Sequence, residues 1–353
     1  MIALLRNYST LYSAYLRRQL SADINNQLAV AQQELSTGYK SDVFKDLGVR
    51  SAESLSLRAT IDRDEAQVTA NELVMGRMET MTDALSAMRD AVQEALELAI
   101  PNKEAALGTV DGIQQAAKAA LDAVIAQANT THAGVPLFSG VELATDSLQP
   151  WSETNAATGL SPSDVFASIL AGGLPDDTAA TTAIAEIEAL FSDSSGTAGF
   201  NFEDTFFNGA ATGAPRQSLA IGDGISVEYG VQANDTAFRQ VIKGLAMLAS
   251  FDPAQITDPD AYATWVGTAV DALSAGSAGL LNIETRVGAQ AAQIEDANTR
   301  MTDRLDIYKN RILDLEGVDS YEAATRISLL ESQLDASYAV TARLTQLSFL
   351  EYM

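Results

Sequence analysis

The sequence predicts a mainly α fold, in which long antiparallel helices build nested terminal domains around an inserted, mixed α/β outer domain. Three observations carry that prediction. Apolar residues recur at spacings of three and four through most of residues 8–131 and 236–353. The two ends mirror each other, each having a terminal helical pattern separated by a glycine-containing break from longer helical patterns. Between them, residues 141–235 change composition to Gly, Ser, Thr, Ala and Asp.

The first element spans 8–35. Tyr8, Leu11, Tyr12, Tyr15, Leu16, Leu20, Ile24, Leu28, Ala31 and Leu35 form its stripe, with no Pro or Gly before Gly38. That is roughly 28 residues, or about 42 Å of helix. The stretch "STGYKSDVFKDLG" reads as a loop. A second helix runs from Arg50 to Ile100 on Ile61, Val68, Met75, Met78, Leu85, Met88, Val92 and Leu96, and Pro101 ends it. A third covers 103–131. Within the insertion, "SLAIGDGISVEYGV" predicts a β-hairpin turning at Gly222–Asp223–Gly224.

Helical patterns return at 236–250 and from Pro259 to Leu273. Ile294, Met301, Tyr308 and Leu315 then interleave with Asn298, Leu305 and Ile312, each set seven apart, as an a/d seam with one polar member. Gly317 is placed to stop that helix, and Asp319 with Glu322 has capping-box spacing for the next. The last stripe is Ile327, Leu330, Leu334, Tyr338, Thr341, Leu344, Leu347 and Leu350. The mirrored breaks imply that both ends run together. The expected domains are 1–42 with 318–353, 43–143 with 236–317, and the solvent-facing insertion 144–235.

Two paired end helices can bury one seam, yet Tyr8, Tyr12, Leu16, Phe349 and Tyr352 fall beside it. Burying a large apolar side chain contributes about 1.5–3 kcal/mol, so leaving half a dozen wet forgoes roughly 10 kcal/mol, on the scale of a whole domain's stability. The expected assembly interface is therefore Tyr8, Leu11, Tyr15, Leu20, Ile24, Leu28 and Leu35 at the front. Leu330, Leu334, Tyr338, Leu344, Leu347 and Leu350 complete it at the back. Identical ends packing about an axis give a ring or a helical tube. The alternative is that both ends dock on the rest of the chain as an ordinary bundle.

Charge agrees with this division of labour. The 353 residues carry a net charge of −25, which speaks against nucleic acid and against an anionic membrane surface as partners. Residues 141–271 hold 18 acidic and 3 basic side chains, while residues 1–40 and 318–353 together come to about −1. Near-neutral surfaces pack closely; like-charged ones resist it. No apolar stretch of spanning length is present, and the opening residues lack a secretory-signal pattern.

Nothing in the composition points to an enzyme, and neither cofactor nor metal is expected. With no cysteine, disulfide, thiol and Cys-based metal chemistry are excluded. His132, the one histidine, reads as a turn residue. Asp176–Asp177 and Asp258–Asp260 read as helix caps rather than calcium ligands, "GDG" as a turn, and Met75, Met78, Met81 and Met88 as core.

Three stretches add a resemblance. "QQELSTGYKSDVFKDLGVRSAESLSLR" (Gln32–Arg58) resembles the N-terminal segment of the flagellin superfamily. "QANTTHAGVPLFSG" (Gln127–Gly140) and the C-terminal run ending Ser348-Phe349-Leu350-Glu351-Tyr352-Met353 are similar to its hook–filament junction branch, the third hook-associated family. Pro136 stands where that branch usually has a larger residue, so a short filament-forming flagellin is the alternative. The resemblance implies a flagellin-like rod secreted to the extracellular bacterial flagellum by type III export. It implies a homo-oligomer whose terminal helices form an inner tube at the hook–filament junction. Its implied partners are the adjacent hook-associated junction protein, flagellin, and a cytosolic export chaperone on the C-terminal helix.

Overall fold

The computed structural model describes the backbone of residues 2–142, 146–156, 158–192 and 200–350, and the side chains of residues 12, 15–142, 146–156, 158–192 and 200–343. The fold is mainly α, with long antiparallel helices and two small β-hairpins. The chain forms two compact units, each built from discontinuous or central sequence: Met1–Ala66 with Met301–Met353, and Gln67–Arg300.

In the first unit, α1 (Ile2–Thr37) precedes a break at Gly38, whose φ of 75° favours glycine. The stretch expected to be loop contains a short helix, α2 (Val43–Leu47), capped by Asp42, whose carboxylate accepts from the Lys45 amide at 3.0 Å. The unit then takes the start of α3 (Ser51–Ala99), the end of α9 (Pro259–Glu316), and α10 (Ser320–Leu350). Asp319 caps α10, accepting from the Tyr321 amide at 2.8 Å and the Glu322 amide at 3.4 Å. α1 and α10 pair antiparallel. The early turns of α3 and late turns of α9 also run antiparallel, tied by Arg304–Asp64 at 2.9 Å, Lys309–Glu65 at 2.7 Å and Arg311–Glu53 at 2.8 Å.

The second unit holds the main core. α4 (Ile113–Ala128) packs on α8 (Thr236–Ser250), with α3 and α9 beside them. The third expected helix begins ten residues later than its pattern suggested. Asn102 is fully buried, and its side chain bonds the Leu98 carbonyl at 2.8 Å, Thr109 Oγ1 at 2.8 Å and the Leu107 amide at 2.7 Å. These bonds stabilise turns where helix was expected. The patterns at Pro259–Leu273 and 294–315 belong to one 58-residue helix. Gly276 and Gly279 do not break it, because they lie where α8 approaches: a Cβ on Gly276 would come within 2.7 Å of the Val241 nitrogen.

The inserted segment contributes α5 (Pro162–Ile169), α6 (Asp177–Leu190), α7 (Phe202–Thr205) and the hairpin β3 (Ser218–Gly222) with β4 (Ile225–Glu228). A shorter hairpin, β1 (Thr131–His132) with β2 (Val135–Pro136), precedes it. Phe166, Phe191, Phe202 and Phe206 pack ring against ring, with centroids 5.3–6.4 Å apart, and join the same apolar core as the long helices. The hairpin is fixed by amides. Gln67 donates to the Ala220 carbonyl at 2.7 Å, and Gln290 donates to the Glu228 carbonyl.

Candidate assembly interface

The site is the α1–α10 pair and the breaks at its base. Helical spacing gives each helix one face toward the other. Ala31 and Leu330 are buried on that face; Ile24, Leu28, Ile327 and Leu334 are half-buried. Ser21 Oγ and Ser337 Oγ meet 3.1 Å apart midway along the pair. Large apolar side chains remain exposed although the helices are paired: Tyr12 is 65% exposed, Tyr15 64%, Leu20 57% and Tyr338 54%. Leu16, Leu35, Leu329 and Val340 are exposed with them.

The sequence-predicted residues thus divide three ways. Leu330, Ile24, Leu28 and Leu334 line the seam between the two helices. Tyr15, Leu20, Leu35 and Tyr338 are exposed. Tyr8 and Leu11 lie within α1, and Leu344, Leu347 and Leu350 within α10, but their side chains fall outside the described residues, as does the Glu351–Met353 ending.

At the base, the two breaks pair with each other. Tyr39 and Gly317 form an antiparallel bridge; the Lys40 amide donates to the Glu316 carbonyl at 2.8 Å, and the Val318 amide to the Gly38 carbonyl at 2.9 Å. Lys40 Nζ donates to the Leu315 carbonyl at 3.0 Å, satisfying a helix-end acceptor. Two carboxylates are buried here. Glu34 accepts from the Ser41 amide at 3.1 Å and lies 3.9 Å from Arg326 of α10. Glu316 is wholly buried and accepts from Ser54 Oγ, from Arg58 Nε at 3.1 Å and from a second Arg58 nitrogen.

The Arg58 hydrogen bonds hold the Glu316 carboxyl below its ordinary range, against the opposing effect of burial and with help from Ser54. Glu316 in turn raises the Arg58 guanidinium. Sequence reasoning missed these residues. A signal was present: Glu34 lies three positions after buried Ala31, and Glu316 four after buried Ile312, so both carboxylates continue their helix's inward stripe.

The remaining candidates have local roles. His132 lies in β1, its Nδ1 3.0 Å from Thr80 Oγ1. Asp176 caps α6, accepting from the Ala179 amide at 2.8 Å, and Asp258 caps α9, accepting from the Ala261 amide at 2.8 Å. "GDG" is the β3–β4 turn, and Met78, Met81 and Met88 are fully buried. Among the described residues no three His, Cys, Asp or Glu side chains cluster to hold a metal, and no helix is long and apolar enough to cross a membrane.

Comparison with known proteins gives matches at both ends. The family model for the bacterial flagellin N-terminal helical region matches residues 8–142, and that for the bacterial flagellin C-terminal helical region matches 267–353. No curated protein matches the sequence. Among solved structures, a provisionally identified flagellar hook-associated protein from Vibrio parahaemolyticus is similar at 12% identity and a TM-score of 0.50, over 77% of this chain and 99% of that one. FlgL of Bacillus cereus is similar at 12% identity and a TM-score of 0.48, over 73% of this chain and 99% of that one. At that identity, the likeness to the Vibrio structure is one of fold.

Proposed function

We infer the function from one premise: the chain belongs to the flagellin superfamily, whose N- and C-terminal helical regions match more than half of it. It is a structural component of the extracellular flagellum. Within that class, we propose that it joins hook to filament, polymerising through its paired terminal helices after type III export.

One observation carries the polymerisation: α1 and α10 already cover one another, yet still leave tyrosines and leucines more than half exposed. An apolar surface of this kind marks an association site, and the near-neutral charge of both ends favours like packing on like. The junction position is supported by the resemblance of Gln127–Gly140 and of the closing residues to the hook-associated branch. The adjacent hook-associated protein and flagellin are the proposed neighbours, and an export chaperone is the proposed cytosolic partner of α10. The proposed chemistry is assembly alone, with no catalysis.

Deleting the gene from its own bacterium provides the test. Hooks without filaments, with flagellin released into the medium, is the expected phenotype. Normal filaments in the deletion strain would remove the junction role. The match to flagellin at both ends also favours a second reading, a short flagellin. Growth of long filaments from the purified chain alone would establish that instead.

A further inference from the structure

The α1–α10 seam is smooth. Above the Glu34–Arg326 pair at its base, its inward residues are aliphatic or small, such as Leu28, Ala31, Leu330 and Leu334, and such a stripe pairs almost as well after sliding by a turn. Something must fix the register, because outward faces presented one turn out of place would not match a neighbouring copy. The breaks have the required specificity. Their amide–carbonyl bonds join particular residues: Lys40 to Glu316, and Val318 to Gly38.

Glu316 stands at the centre. Its main-chain carbonyl receives the chain leaving α1, while its carboxylate receives Ser54 and Arg58 of α3. A wholly buried carboxylate is costly unless paired, and an apolar residue would fill the site at lower cost. Its presence on the stripe of Ile312 and Leu315 is accounted for by a role in specifying position beyond its contribution to stability. We propose that Glu316 is a positioning residue for assembly: it docks the end of α9 against α3 and the first break, and so sets the one register in which α1 pairs with α10. The assembly role of those helices rests on the function proposed above; the register claim does not require it.

The absence of cysteine makes the register directly readable by disulfide formation. Ser21 and Ser337 are opposite each other, whereas Leu334 and Thr341 lie one turn to either side on the same face. In the full-length chain, Ser21→Cys with Ser337→Cys is expected to oxidise about tenfold faster than Ser21→Cys with either Leu334→Cys or Thr341→Cys, about 1.4 kcal/mol of preference. Adding Glu316→Ala is expected to bring the three rates to within about twofold of one another. Glu316→Gln, which keeps the volume and the Ser54 donor, should give an intermediate ratio and serves if the alanine variant fails to fold.

Three results would overturn the proposal: an unchanged preference in the Glu316 variants, equal rates in the parent chain, or equal slowing of all three pairs in the Glu316→Gln chain as well as in the alanine one, which signals simple loss of folding. The function is read separately, by sedimentation of the polymer. In-register cross-linking in a chain that never polymerises spares Glu316 and rejects the assembly reading. Normal polymer with an unchanged preference in the Glu316→Ala chain does the reverse.

Discussion

Buried charge and buried rings define what single residues do here. The folded Glu316 carboxyl titrates below its ordinary value of 4.5, so its contribution is fully present above that value and is lost as pH falls through the lower, folded one. Arg58 and Ser54 bond the carboxyl, Tyr39 and Asp62 act on Arg58 in turn, and Lys40 Nζ bonds the neighbouring Leu315 carbonyl. Protection of the Lys40 and Val318 amides against hydrogen exchange, taken relative to the intrinsic rate at each pH, should therefore be high at neutral pH and fall below about pH 4.5. In Glu316→Gln that fall in protection should largely vanish; an unaltered profile would assign it to another carboxylate. In the second unit, Phe206 is fully buried among Phe166, Phe191 and Phe202. Phe206→Ala should cost about 3–5 kcal/mol in urea unfolding. A loss below about 1 kcal/mol would mean that the aromatic cluster is not part of the cooperative core.

Elements meet at small residues and at polar pairs. α8 and α9 approach closely at Gly244 and Gly276: a Cβ on Gly244 would come 2.6 Å from Leu273 Cγ and 2.7 Å from the Ala269 carbonyl oxygen. Gly244→Ala should destabilise the second unit by about 1–3 kcal/mol despite alanine's higher helix propensity. A stabilised variant would show that the helices separate freely. In the α3–α9 seam, buried Asn71 donates to Asn298 Oδ1 at 2.7 Å, and Gln67 donates to Asn71 Oδ1 at 2.9 Å. Replacing both asparagines by leucine should raise the melting temperature while broadening amide resonances along the seam, because a polar pair restricts register at some cost in stability. Unbroadened spectra would make the pair dispensable. The heptad spacing exposed Asn298 as the polar member of the seam; its partner 227 positions away was not legible, since pairing across the fold leaves no local pattern.

For the whole molecule, the two units give opposite expectations for the same cut. Removing residues 340–353 takes away the end of α10 and nothing from Gln67–Arg300. The shortened chain should keep the near-ultraviolet signal of Trp151 and Trp265 and fail to polymerise. Polymer of normal length from that chain would reject the role given to the tail. Lower salt should not rescue assembly, because the residues removed are mostly apolar and carry only Arg343 and Glu351 as charges.

Periodicity alone determined the long helices, because one buried stripe per helix writes itself into the spacing of apolar residues. The turn chemistry of Gly222–Asp223–Gly224 located the β3–β4 hairpin, and the glycines at 38 and 317 located the breaks. The excess of apolar surface at the ends was also legible, since it needs only a count of what one seam can hide. Only the tertiary structure decided that those breaks pair with each other, that Glu34 and Glu316 lie buried between them, that Asn102 holds turns in place of helix, and that the inserted aromatic residues join the main core. Each depends on groups far apart in the chain, and local spacing carries no record of which distant residue a carboxylate, an amide or a ring will meet.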